Sequence, residues 1–208
     1  MEEQNGRIAD VYVAKMPHEI GAGRIFPTAR AAEIAECQSD KVKRQKYYAW
    51  RLLGYALQQS FGYAIERIDM CKSKNGKWTT PHCYFSLSHS ENAVAVAVSD
   101  RAIGVDVERV NAEKAAFLQT VLTAQEREEI AVLTDETERV EYLFKRWTQK
   151  ESFFKRTGDG AFRPSKIAVD GELVATKKLS IEGEEYMLSV AVENAANTRY
   201  VLDVDLTE

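Results

Sequence analysis

Valine and alanine alternate without a break from Ala93 to Val98, so Val94, Val96 and Val98 share one face of a strand and Ala93, Ala95 and Ala97 the other. Apolar residues on both faces predict a central, covered strand over 92–99, and the small alanines predict a helix packed close on their side. Neighbouring strands are predicted at 84–88 and 102–108, and an earlier one at 7–14. Helical spacing marks 28–37, with Thr28 a candidate cap. It also marks 40–61, where Tyr47, Trp50, Leu53, Leu57 and Phe61 recur on one face and Asp40 is a candidate cap. Residues 72–83 read as a loop around the turn signal Asn75-Gly76. Thr123-Ala124-Gln125-Glu126 is a capping-box signature opening a helix to about Leu133. A longer helix follows from Glu136 to Arg156, ended by Gly158-Asp159-Gly160, and three alternating segments, 165–175, 185–193 and 198–206, read as strands.

The predicted fold class is α+β: two similar halves, each a small, mainly antiparallel sheet with a long helix, related by pseudo-twofold symmetry. The strand connections are too short for parallel crossovers. The boundary is placed near 100–103, giving halves 1–101 and 102–208.

Composition narrows the function classes. The chain is 45% hydrophobic and 29% charged, an ordinary globular balance. A net charge of -4 argues against nucleic acid as a partner. No apolar stretch reaches 18 residues and no apolar leader opens the chain, so neither a membrane nor export is expected. Cys37, Cys71 and Cys83 lack metal spacing and fit reduced thiols, so a cytoplasmic location is expected.

Carboxylates then change the picture. In Gly104-Val105-Asp106-Val107-Glu108, alternation puts Asp106 and Glu108 on one strand face, about 7 Å apart. Like charges so close call for a cation between them. Glu151 lies on the apolar stripe of its helix with Trp147 and Phe154, and Lys150 and Lys155 frame it with positive charge. The bland alternatives are a solvated strand face and an exposed Glu151–Lys155 pair contributing about 0.3–0.5 kcal/mol. One divalent cation held by Asp106, Glu108 and Glu151 resolves both conflicts, and oxygen donors suit Mg²⁺ together with substrate phosphates. His89, flanked by Ser88 and Ser90, is a candidate phosphate donor. The basic run Lys41–Arg51 and Lys77 are candidate anion contacts. Glycine-loop phosphate motifs and the G-x-S-x-G nucleophile elbow are absent.

G-V-D-V-E, about forty residues, then W-T-Q-K-E-S-F-F-K, with F-S-L-S-H-S upstream, resembles the signature set of the 4′-phosphopantetheinyl transferases, over roughly residues 40–165. Length and spacing resemble the surfactin-synthetase-activating type, a single-chain pseudodimer, so a monomer is expected. The resemblance implies transfer of the phosphopantetheine arm of coenzyme A to a serine of an apo acyl or peptidyl carrier protein. Adenosine 3′,5′-bisphosphate would be the other product. It implies Asp106, Glu108 and Glu151 as ligands of Mg²⁺, with Mn²⁺ an alternative. Lys155 and His89 would contact phosphates, Ser88 would lie beside the nucleotide, and Glu151 would help remove the serine proton. Lys77 resembles the family's G-K-P lysine, and Lys43, Arg44, Lys46 and Arg51 are candidates for the 3′-phosphate. The Phe117–Leu122 region would receive the carrier. Ser86 replaces the usual Asn, and Trp78 the usual Pro. A metal-dependent phosphohydrolase using the same acids is the alternative reading.

Overall fold

The structure, a computed structural model, describes residues 9–74, 76–158, 160–169 and 171–207. The secondary-structure elements are strands β1 (Ala9–Lys15), β2 (Cys71–Lys72), β3 (Trp78–Thr79), β4 (Tyr84–Ser90), β5 (Ala93–Ser99), β6 (Gly104–Arg109), β7 (Val174–Ile181), β8 (Glu184–Ala191) and β9 (Thr198–Val201), and helices α1 (Thr28–Ala35), α2 (Asp40–Phe61), α3 (Ala112–Leu118), α4 (Ala124–Ala131) and α5 (Glu136–Thr157). The fold is α+β. One sheet runs β4-β5-β1-β9, a second β6-β8-β7, and β2 pairs with β3. The pairings are antiparallel except that β9 runs parallel to β1, so the first sheet is mixed and draws its fourth strand from late in the chain.

β5 is central, as its alternation requires, but its two faces are covered differently from expectation. The valine face carries α2: Val94, Val96 and Val98 pack with Trp50, Leu53 and Tyr12. The alanine face meets the second sheet, where Ala93, Ala95 and Ala97 pack with Val105, Val107, Leu188 and Val190. Short side chains on one sheet make room for branched ones on the other. The alanines therefore reflect sheet-on-sheet packing, not a close helix.

Local signals set the helix ends with some shifts. Ser39, rather than Asp40, caps α2, its side chain accepting from the Val42 amide, and Thr28 is the first residue of α1 rather than its cap. The capping box at Thr123 and Glu126 forms as predicted. α5 ends at Gly158, whose φ of 71° suits a residue without Cβ. Asn75, Asp159 and the start of the predicted first strand at 7–8 lie outside the described residues. The expected strand at 165–175 is instead a 3₁₀ turn, Pro164–Lys166, with irregular chain at 167–169 and a turn at 171–173, and the strand begins at Val174. No helix among the described residues is long and apolar enough to cross a membrane.

Candidate active site

β4 and β6 are edge strands of different sheets, and they face each other. Edge strands carry unpaired amides, which need partners when covered. Here β4 supplies hydroxyls. The amides of Val105, Val107 and Arg109 donate to Ser86 Oγ, Ser88 Oγ and Ser90 Oγ at 3.0, 3.2 and 3.0 Å. The period-2 serines thus form a comb along β6. Two of them also donate onward: Ser88 to Asp106 Oδ1 at 2.8 Å, and Ser90 to Glu108 Oε2 at 2.9 Å. Gly104 opens β6 because the strand lies on the backbone of α5: a Cβ there would meet Ser152 O at 1.9 Å. That close approach brings Glu151 and Lys155 to the acids of β6.

Asp106 is 3% exposed. Its Oδ1 accepts from Lys155 Nζ at 2.7 Å as well as from Ser88, whereas Oδ2 is buried and has no hydrogen-bond partner among the described residues. Glu108 Oε1 accepts from Lys114 Nζ at 2.7 Å and from Trp147 Nε1 at 3.4 Å. Glu151 lies 3.9 Å from Lys155 Nζ. Burial first, and repulsion from Asp106 second, raise the Glu151 pKa above the usual carboxylate range, with Lys155 opposing them in part.

The expected arrangement, three carboxylates closed around one ion, is not present as a ready cage: among the described residues no three acidic, histidine or cysteine side chains converge closely enough to hold a metal. Asp106 and Glu108 are each neutralised by a lysine instead. The donor set nevertheless fits a hard divalent cation, since it consists of carboxylate oxygens and includes one buried oxygen left unsatisfied.

Beside Lys155 opens a cavity of about 750 Å³ with apolar walls from Trp78, Phe85 and Phe154 and cations from Arg30, Lys77 and Lys155. Lys77 Nζ donates to the Lys155 carbonyl at 2.8 Å, and burial, then the Lys155 charge, lowers its pKa. Arg30 is 9% exposed, pairs with Glu33 at 3.0 Å and lies 4.9 Å over the Trp50 ring, while its Nε is buried without a partner among the described residues. His89 is exposed at the end of β4, but desolvation, followed by the Lys155 charge, lowers its pKa and favours the neutral ring.

The other expected anion contacts are placed elsewhere. Arg44 donates to Asn92 Oδ1 at 3.1 Å, and Lys46 approaches Cys37 Sγ at 3.3 Å. Arg51 lines a separate cavity of about 480 Å³ with Arg24 and Glu66. None of these, nor Lys43, lines the cavity beside Lys155. Lys150 does not frame Glu151: it points away, fully buried, onto Glu126 Oε2 at 2.5 Å and the Val121 carbonyl at 2.8 Å. Of the Phe117–Leu122 region, Phe117 is 60% exposed, and Leu118, Val121 and Leu122 are buried. Sequence reasoning missed Arg30, Ser90 and Lys114. Only Ser90 carried a signal, its period-2 spacing from Ser86 and Ser88.

The sequence model of the 4'-phosphopantetheinyl transferase superfamily matches residues 102–204. The chain is similar to 4'-phosphopantetheinyl transferase psf-1 of Bacillus pumilus, 32% identical over 113 residues, 52% of this chain and 48% of that protein. It is 29% identical to 4'-phosphopantetheinyl transferase Sfp of Bacillus subtilis (strain 168) over 84 residues, 40% of this chain and 37% of that one. It is 34% identical to 4'-phosphopantetheinyl transferase HetI of a Nostoc species over 88 residues, 41% of this chain and 37% of that one. The chain thus spans half or less of the length of the curated relatives it matches.

Proposed function

Because this chain belongs to the 4′-phosphopantetheinyl transferase superfamily, we propose that it moves the phosphopantetheine arm of coenzyme A onto a serine of an apo carrier protein. The serine hydroxyl oxygen forms a bond to the phosphorus bearing the arm. The bond from that phosphorus to its bridging oxygen breaks, and the electron pair leaves with adenosine 3′,5′-bisphosphate. The serine proton goes to Glu151, a carboxylate beside Lys155. Lys155, fixed by Ser88 and Asp106, places its ammonium where negative charge develops on the phosphate oxygens. Arg30 and Lys77 hold the nucleotide's phosphates in the cavity, and Trp78 and Phe85 flank it. They are better placed for this than Lys43, Arg44, Lys46 or Arg51. His89, neutral by preference, contributes a ring N–H. Phe117 offers an apolar contact to the carrier.

Asp106, Glu108 and Glu151 would hold Mg²⁺, or Mn²⁺. When bound, the ion neutralises pyrophosphate charge. In this reading residues 1–101 form the nucleotide side and 102–208 the acidic and carrier side of a monomer with approximate twofold halves.

One observation carries the proposal: Asp106, whose buried Oδ2 has no hydrogen-bond partner among the described residues, holds through Oδ1 the Lys155 ammonium, and Lys155 also lines the cavity of about 750 Å³. Incubating the protein with coenzyme A, Mg²⁺ and an apo carrier tests it by mass spectrometry of the carrier. Addition of the arm, lost in Asp106→Ala and in Glu151→Ala, is the expected result. Hydrolysed coenzyme A with an unmodified carrier would replace this reading by phosphohydrolysis.

A further inference from the structure

Three carboxylates at this site are balanced by two ammonium groups of different character. Lys155 is held at several points, by Ser88 at 3.1 Å, Asp106 at 2.7 Å and Glu151 at 3.9 Å. Among the described residues Lys114 pairs with one carboxylate, Glu108, at 2.7 Å. Its Nζ lies 5.5 Å from the centre of the Trp147 ring, whose own N–H shares Glu108 Oε1. Lys114 sits in the first turn of α3, and its side chain is 36% exposed. Its flexible stem can carry the ammonium into solvent without disturbing the helix, whose start is fixed by Asn111 Oδ1 on the amides of Glu113 and Lys114.

The geometry points to Lys114 as a tethered counter-ion that occupies Glu108 until a divalent cation displaces it. This rests on the reading of Asp106, Glu108 and Glu151 as cation ligands. A doubly charged ion bound by Glu108 competes with the ammonium that already neutralises that carboxylate through Oε1. Entry of the ion at Oε1 therefore displaces Lys114, and the nearby ammonium lowers the affinity for the ion. Even at roughly 6 Å in the dielectric of water, the repulsion between an ammonium and a divalent ion changes an equilibrium about tenfold. Lys114 thereby sets the metal concentration at which the site fills and keeps Glu108 neutralised below it.

The test is Mn²⁺ titration of the metal-free full chain at low ionic strength, with coenzyme A saturating and no carrier, reading free Mn²⁺ by electron paramagnetic resonance. Lys114→Ala should bind Mn²⁺ roughly tenfold more tightly than wild type. Lys114→Arg, which keeps the unit charge, should bind Mn²⁺ more weakly than Lys114→Ala. Asp106→Asn should lose the binding. Unchanged affinity in Lys114→Ala, with binding still lost in Asp106→Asn, overturns the counter-ion and leaves the metal reading standing. Wild-type affinity indistinguishable from that of Asp106→Asn overturns both. Far-ultraviolet circular dichroism of the metal-free Lys114→Ala protein should match wild type, and tighter binding there without that match would count against a purely electrostatic release.

Discussion

Replacing Glu126 by alanine should destabilise this protein more than replacing Lys150 by methionine, although the two side chains form one ion pair. Lys150 is fully buried, and its ammonium has two partners, the Glu126 carboxylate at 2.5 Å and the Val121 carbonyl at 2.8 Å. Removing the carboxylate leaves a buried positive charge on a carbonyl alone, which costs about 3–5 kcal/mol. It also strips the Thr123 amide of its acceptor at 2.8 Å, for about 1 kcal/mol more. Removing the lysine is milder. Glu126 keeps the Thr123 amide and has Arg146 Nε at 3.9 Å, so the main loss is the unsatisfied Val121 carbonyl, about 1–3 kcal/mol. At roughly 2–4 °C per kcal/mol for a chain of this size, Glu126→Ala should melt about 8–24 °C below wild type. Burial lowers the Lys150 pKa against the opposing pull of Glu126, and losing Glu126 lowers it further. The unfolded state then holds the proton to higher pH than the folded state, so stability rises with pH. The deficit of Glu126→Ala should accordingly shrink as the pH is raised from neutral toward about 10. Thermal and urea denaturation monitored by circular dichroism give both numbers. A Lys150→Met loss equal to or larger than that of Glu126→Ala would refute the reasoning, because it would mean that the stranded ammonium is not the costly species.

Glu33 provides an acid-side counterpart. Burial works to raise its pKa, but hydrogen bonds from Lys72, Trp78 and Arg30 outweigh it and bring it down to about 2. Its stabilisation is therefore complete above its ordinary value and lost as the pH falls toward about 2. With the side chain 25% exposed, Glu33→Gln should cost on the order of 1–2 kcal/mol at neutral pH, and the difference should vanish in acid denaturation near pH 2. Gly104→Ala places a Cβ against the backbone of Ser152 and Arg156, and should lower stability by about 3 kcal/mol or more in urea titration and reduce transfer by parting β6 from α5. Arg30→Ala should raise the KM for coenzyme A more than that for dephospho-coenzyme A, with Lys46→Ala affecting the two alike. Equal effects in Arg30→Ala would remove it from the 3′-phosphate contact.

Much of the scaffold was legible because it follows from local chemistry. The capping box at Thr123, the glycine stop at 158 and the unbroken apolar run of β5 each have one physical solution. What β5 packs against was not legible, since thin side chains suit a close helix and a close sheet equally. β7 was missed because Thr176, Lys177 and Lys178 belong to a half-exposed edge strand without clean alternation. β9 lies within the segment 198–206 that reads as a strand, but its parallel pairing with β1, far away in sequence, has no local signature. Within the site, Asp106 and Glu108 stood out as like charges sharing one strand face, and Glu151 as a carboxylate on the apolar stripe of its helix. Lys150 was misassigned because consecutive helical residues point about 100° apart, so the neighbour of a functional residue generally serves another surface. Arg30 and Lys114 are single cations in ordinary helices, and only tertiary placement gives them meaning.

The hydroxyl comb between strands 84–90 and 104–109 has a consequence for how this architecture can be divided. Each of the two larger sheets ends in an edge strand whose margin the other sheet seals, and the bonds that seal it also aim the two acids. A polypeptide cut at residue 101 should bare both margins and strip β9 from β1, and should lose the alignment of Asp106 and Glu108 until the separated pieces are mixed.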